Sequence, residues 1–256
     1  MDNDALNRLK KALGARAGGV AVRMLPETDS TNLRLKEGYR AGEITPPYLL
    51  LADSQTAGRG RLGRTFVSPP GTGLYMSLLA AVPPRTDAGK ITVLAAVAVC
   101  RALEELTDLR PRIKWVNDLF VNGRKVCGIL AEGVGERVVI GIGVNLRTPP
   151  GGFPPEAGLA GALDRDVDRA VLAGRIACHL LTGLENPNDP AVIADYRARM
   201  PLIGQTVQYT QNGQIKNARV TGVGEDGGLM IVGDGGPETL RCGEVTLGSE
   251  AMARFY

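Results

Sequence analysis

Arg112-Ile113-Lys114-Trp115-Val116-Asn117-Asp118, then Asn122-Gly123, then Lys125-Val126-Cys127-Gly128-Ile129-Leu130-Ala131-Glu132 reads as one extended segment entering a tight turn and a second leaving it. Asn-Gly between apolar runs is the strongest short-range hairpin signal, because both residues tolerate the positive φ that a two-residue turn needs. Residues 137–145 (RVVIGIGVN) have the same texture and supply the next pairing partner. Toward the N-terminus, the short apolar runs 47–52 and 73–80 are bounded by turn residues and read as buried strands, and 20–25 also has strand character. Helical patterns flank these strands at 4–13, 86–106, 166–184 and 190–200, the last with Asp189 as N-cap and Pro190 at its first position. A further helix opens at Asp29, Ser30 and Thr31, all good N-cap residues, and closes at Gly38 or Gly42. Hairpins alternating with flanking helices predict an α+β fold built on a mixed, largely antiparallel sheet.

Beyond Pro201 the period changes. Short strands near 205–210, 218–223, 228–232 and 239–242 are separated by Asn212-Gly213, Asp226-Gly227-Gly228 and Asp234-Gly235-Gly236, which predicts a small barrel. The chain therefore divides, on sequence, into a larger domain at 1–200 and a small one at 201–256. The proline- and glycine-rich stretch Thr148–Gly158 is a loop with the character of a lid.

With 256 residues, 44% hydrophobic and 22% charged, the chain can bury a sizeable core. Its net charge of +3 is too slight for a general nucleic-acid binder. Cys100, Cys127, Cys178 and Cys242 are widely spaced, so neither a zinc site nor a disulfide framework is expected, and reduced thiols suit a cytoplasmic protein. An acidic start, Met1-Asp2-Asn3-Asp4, and no long apolar run argue against export or membrane anchoring. His179, the sole histidine, lies in an apolar helical stretch and reads as structural, leaving chemistry to Lys, Arg and Asp.

Charge is concentrated in Gln55-Thr56-Ala57-Gly58-Arg59-Gly60-Arg61-Leu62-Gly63-Arg64, tethered between two strands. Glycine admits close approach to a ligand, and each arginine offers a rigid fork of donors to an oxyanion. The plain alternative is a disordered basic loop that touches RNA phosphates.

Taken together, the Ser30-Thr31-Asn32 stretch, the Gly-Arg loop, Lys114-Trp115-Val116-Asn117-Asp118, Lys125 ahead of Gly128-Ile129-Leu130, the Gly141-Ile142-Gly143-Val144-Asn145 strand and the small terminal barrel resemble the biotin protein ligases, class II synthetase-like enzymes with an SH3-like C-terminal barrel. The match runs from Ser30 to about Gly248. Val116 departs from it, standing where the family usually has proline, and the 148–163 loop lacks a tryptophan to stack adenine, leaving Phe153 or aliphatic residues for that contact.

The resemblance implies that biotin and MgATP give biotinyl-5′-adenylate, from which a lysine of a biotin carboxyl carrier protein takes the biotin. It implies that Ser30, Thr31, Asn32, Gln55, Gly58, Arg59, Gly60, Arg61, Trp115, Lys125 and Gly128 meet biotin or its adenylate, with Ser30, Thr31 and Gln55 at the ureido end and Trp115 as a pocket wall. Arg61, Arg64, Asn117, Lys125 and Asn145 fall on the nucleotide, and Gly128 and Gly143 allow close backbone approach. Lys125, Asp118 and Arg59 carry the catalytic assignment, with Asp118 holding Mg2+ or positioning the acceptor amine. No DNA binding is expected, since the residues before Val20 leave no room for a helix-turn-helix. A homodimer through an exposed sheet edge is an open expectation. Two rivals stand: a lipoate ligase using the same adenylate logic, and an RNA-binding module, which has few aromatics for stacking.

Overall fold

The structure, a computed structural model, describes residues 3–84, 86–211, 213–248, 252 and 255. A seven-stranded sheet forms first, from β1 (Ala21–Thr28), β2 (Tyr48–Gln55), β3 (Gly73–Ala81), β4 (Arg112–Lys114), β5 (Asp118–Val121), β6 (Arg124–Val134) and β7 (Arg137–Asn145), in the spatial order β1-β2-β3-β7-β6-β5-β4. Only the β1–β2 pair is parallel, so the sheet is mixed and largely antiparallel, as the hairpin reading predicts.

The sheet is covered unequally. Helices α1 (Asn3–Leu13), α3 (Ala88–Leu106), α4 (Arg169–Glu185) and α5 (Pro190–Ala198) form a layer on one face, with Leu74, Met76, Leu78 and Ala80 of β3 in the same core. On the other face a single short helix, α2 (Thr31–Arg40), buries Leu35 against Leu50, Leu79 and Val139. This double covering explains why 73–80 reads as an apolar run interrupted by the single hydroxyl of Ser77. Where α2 ends its coverage, the second face is left open to form the site.

Local chemistry sets several boundaries. Ser30 caps α2, and Gly42 follows its end at φ 73°. Asp87, Asp168 and Asp189 cap α3, α4 and α5 by accepting backbone N–H bonds. Asn122 and Gly123 turn at φ 49° and 69°, the two positive values of a type I′ hairpin.

One segment departs from the sequence reading. Residues 112–118 do not form one strand: β4 and β5 fold back on each other, with Lys114 opposite Asp118. The bend at Trp115–Asn117, where the Trp115–Val116 peptide is cis, is held by distant groups. Trp115 Nε1 donates to Gly227 O at 2.9 Å, Tyr196 OH to Val116 O at 3.0 Å, and Asn117 Nδ2 to Ile129 O at 2.8 Å. Those partners lie 12 to 112 residues away, so no local turn signal announces the bend.

A second, five-stranded sheet contains β8 (Thr206–Gln211), β9 (Gln214–Val223), β10 (Leu229–Gly233), β11 (Gly236–Leu240) and β12 (Val245–Leu247), all antiparallel in the order β11-β10-β9-β8-β12. Asn212 of the first expected turn in this sheet, and Met1 and Asp2 of the acidic start, lie outside the described residues. Among the described residues no helix is long and apolar enough to cross a membrane.

Candidate active site

The Gly-Arg segment is ordered. It rises from β2 as a narrow hairpin, with Gln55 bridged to Ser68 and Arg59 to Thr65, Phe66 N donating to Gly58 O at 2.9 Å and Gly60 N to Arg64 O at 2.7 Å. Its tip turns on positive φ at Leu62 (55°) and Gly63 (74°). Gly58 is obligatory for packing: a Cβ there would lie 2.3 Å from Phe66 O.

A β-bulge prepares the facing strand. Phe120 pairs with Lys125 but Leu119 pairs with Cys127, so Val126 is the extra residue. Val126 and Cys127 then both turn into the core, fully buried, while Lys125 and Gly128 share the open face. Without the bulge the alternation of a strand would separate them. Burial also raises the Cys127 thiol well above its ordinary pKa, which suits an inert spacer.

Between the arginine hairpin and β6–β7 lies a cavity of about 430 Å³. Arg59, Arg61, Arg64, Lys114 and Lys125 line it together with the carboxylates of Asp118, Glu156 and Glu244. Lys125 Nζ pairs with Asp118 Oδ1 at 2.7 Å; Arg61 donates to Asn117 Oδ1 and Gly243 O, both at 2.9 Å; Arg64 grips Glu244. Arg59 is exposed and, among the described residues, makes no side-chain hydrogen bond or ion pair, so its fork is free. Lys114 also faces the cavity and, among the described residues, makes no hydrogen bond or ion pair; burial pushes its ammonium below the usual lysine range, against the pull of Asp118 and Glu244.

Another part of the lining is polar and uncharged, with Ser30, Asn32 and Gln55. Thr31, Gly58 and Asn145 do not line the cavity. Thr31 is buried and hands its N–H to Gln55 Oε1 at 2.9 Å, whereas Asn145 Nδ2 donates to Gly161 O at 2.9 Å and anchors the rim loop. The other expected contacts, Gly60, Trp115, Asn117 and Gly128 among them, do line it. His179 instead bonds Glu105 at 2.8 Å on the helical layer.

Two features escape sequence reasoning. Gly128 and Gly143 face each other in the β6–β7 ladder, and what approaches them is the ring of Phe66: a Cβ on Gly143 would lie 2.4 Å from its Cε1. The Phe66 ring thus packs on the two glycines, both of which also line the cavity. Second, Gly243 and Glu244, from the loop between β11 and β12, reach the cavity mouth. The rim also includes Pro154, Glu156 and Ala157 of the loop read as a lid.

Residues 24–146, which carry most of this site, match the biotin/lipoate A/B protein ligase family. A biotin–acetyl-CoA-carboxylase ligase of Paracoccus denitrificans is 31% identical over 88% of this chain and 100% of its own length. The chain belongs to that ligase family. The solved biotin protein ligase of Aquifex aeolicus in complex with biotin and ATP superimposes with a TM-score of 0.74 at 29% identity, covering 88% of this chain and 97% of that one. The bifunctional ligase/repressor BirA of Bacillus subtilis is 41% identical over 48% of this chain, which spans only 41% of that relative's length. Within the ligase fold, the matched segment runs from β1 to the first residue after β7, so the arginine hairpin, the bulged strand and the polar end all fall inside it.

Proposed function

We propose that the protein activates biotin with MgATP to biotinyl-5′-adenylate and transfers the biotin to a lysine of a biotin carboxyl carrier protein. The observation that carries this reading is the polarity of one cavity, with Arg61, Lys114 and Lys125 gathered about Asn117 and Asp118, the uncharged Ser30, Asn32 and Gln55 gathered beside Thr31, and Arg59 free on the arginine hairpin. An acid with an uncharged polar head and a terminal carboxylate fits that gradient, and the Aquifex aeolicus structure holds biotin and ATP in the same fold.

Attack of a carboxylate oxygen on the α-phosphorus brings two anions together while the bond to pyrophosphate breaks. Fixed cations offset that repulsion and stabilise the charge spreading over the phosphate oxygens. Arg59 and Lys125 take the reacting carboxylate and α-phosphate, and Arg61, Arg64 and Asn117 take the nucleotide. Thr31 and Asn145 act through their neighbours, Gln55 and the rim loop. Trp115 forms a wall, and Gly58 and Gly60 shape the arginine hairpin.

Magnesium enters with ATP. The half-buried Asp118 carboxylate, which has Lys125 as its counter-charge, fits an oxygen ligand to it, and is equally placed for the incoming ε-amine. In this reading residues 1–200 form the catalytic domain and 201–256 an SH3-like barrel that lends Glu244 to the mouth. The protein then works in the cytoplasm, and the DNA-free and dimeric states remain parts of the same proposal.

The test is exchange of labelled pyrophosphate into ATP. Biotin supports exchange, and Lys125→Ala lowers it by roughly 10²–10³-fold, the usual scale for losing one charge-stabilising group. Exchange with lipoate alone moves the assignment to the lipoate branch. Exchange with neither acid in folded, magnesium-supplied protein overturns the proposal.

A further inference from the structure

Ser77 belongs to no motif, does not line the cavity and is fully buried in the middle of the sheet. It sits on β3 between Leu50 of β2 and Gly141 of β7, on the face that carries the site. Gly141 leaves the space beside it open, since a Cβ there would lie 2.2 Å from Asn32 Oδ1. The socket so formed receives Thr31 and Asn32. Ser77 Oγ lies 2.7 Å from Thr31 Oγ1 and 2.6 Å from Asn32 Oδ1, and Thr31 Oγ1 lies 3.1 Å from Gln55 Oε1.

Three oxygen–oxygen contacts share two hydroxyl protons, and the accounting has one good solution. Asn32 Nδ2 already donates to Leu130 O at 3.1 Å and Glu132 Oε2 at 2.8 Å, so the oxygen of that amide faces Ser77 and can only accept. The Ser77 proton therefore goes to Asn32 Oδ1. It is shared with Thr31 Oγ1, whose own proton goes to Gln55 Oε1, an amide oxygen that also accepts the Thr31 N–H. That same N–H fixes the Gln55 amide, whose Nε2 donates to Ser68 Oγ at 2.9 Å and keeps one hydrogen for the cavity. Neither Asn32 hydrogen is left for a ligand.

We propose that Ser77 is a positioning residue for the acid-binding end: its hydroxyl locks Thr31 and Asn32, and through them sets the Gln55 amide that meets the substrate's polar head. This rests on the acid-activation reading above. Arg59, Arg61 and Lys125 are not in the network, so its loss touches acid recognition and spares the nucleotide.

The test uses the full chain, with biotin binding measured by titration calorimetry and KM values by pyrophosphate exchange. In Ser77→Ala, biotin binds about tenfold more weakly, the order expected when a buried acceptor loses its donor. The KM for ATP at saturating biotin stays within about twofold, a split that general loosening does not produce. Ser77→Cys, nearly the same size but a weaker donor, falls between, and decides on the same criterion if the alanine variant does not fold. Unchanged biotin affinity in a folded variant overturns the inference, as does an equal rise in both KM values. A wild-type protein that ignores biotin overturns instead the reading on which it rests.

Discussion

Substituting Gly143 by alanine tests whether the Phe66 ring belongs to the acid site. The new Cβ would lie 2.4 Å from Cε1 and 2.5 Å from Cζ of that ring. Carbon atoms rest at about 3.5–4.0 Å, so the ring must retreat by roughly 1 Å. Phe66 is half-buried and packs edge-to-face on Tyr75 at 6.4 Å. The free direction is therefore toward the cavity. Overpacking of this kind costs about 1–3 kcal/mol. If the ring yields into the cavity, that cost appears in ligand affinity as a loss of roughly 5–150-fold for biotin. Gly128 provides the internal scale: its Cβ would meet the same ring at 3.2 Å, so Gly128→Ala requires only a few tenths of an ångström and weakens biotin by about threefold or less. Calorimetric titration with biotin, with thermal melting as a fold control, measures both. In a Phe66→Leu background the penalty for Gly143→Ala should largely vanish, a coupling of about 1–2 kcal/mol. Equal biotin affinity for Gly143→Ala and wild type, or the same penalty in both backgrounds, refutes the reasoning.

Two further outcomes follow from charge. Lys114→Met removes a half-buried ammonium whose desolvation outweighs the attraction of Asp118 and Glu244, so the variant should melt at the same temperature or a few degrees higher, with a gain of about 1 kcal/mol, yet show a raised KM for ATP. A lowered melting temperature with unchanged KM would count against both halves. For acid stability, Arg34 holds the Asp29 carboxyl, and Arg64 that of Glu244, below the usual range. Burial alone would raise Glu132, but the bonds from Lys36 and Asn32 outweigh it and hold it low. A depressed folded pKa gives stability that is present above the unfolded value, about 4, and is lost as pH falls through the folded one. Melting temperature should stay level from about pH 7 to 5 and then drop, with a smaller drop for Glu132→Gln; identical profiles would exclude Glu132.

Local signals carried far in this chain. Asn122-Gly123, the aspartate caps and the Gly-Arg run each act over a few residues, and the strands and helices they delimit appear within a few positions of where they were read. What stayed hidden depends on distance. The bend at Trp115–Asn117 takes its hydrogen bonds from Ile129, Tyr196 and Gly227. Phe66 enters a notch made by glycines more than sixty residues away, and Ser77 looks like any strand serine until Gly141 and Asn32 are set beside it. The bulge at Val126 is a subtler case: Lys125 and Gly128 stand three apart, which strand alternation alone would place on opposite faces, so the spacing itself was a clue to the extra residue.

The rim loop and Lys125 share more than proximity. Lys125 N donates to Leu159 O at 2.8 Å, and Gly161 N donates to Lys125 O at 2.9 Å, so both backbone groups of the lysine are occupied by the loop. At its other end the loop is cinched where Thr148 bonds the Asp164 carboxylate at 3.0 Å. The loop is thus closed at its base, and its downstream stretch is the segment that holds the backbone of the lysine. Gly161 is held by Asn145 Nδ2 as well, so this one short stretch of the rim ties the backbone of Lys125 to the end of β7.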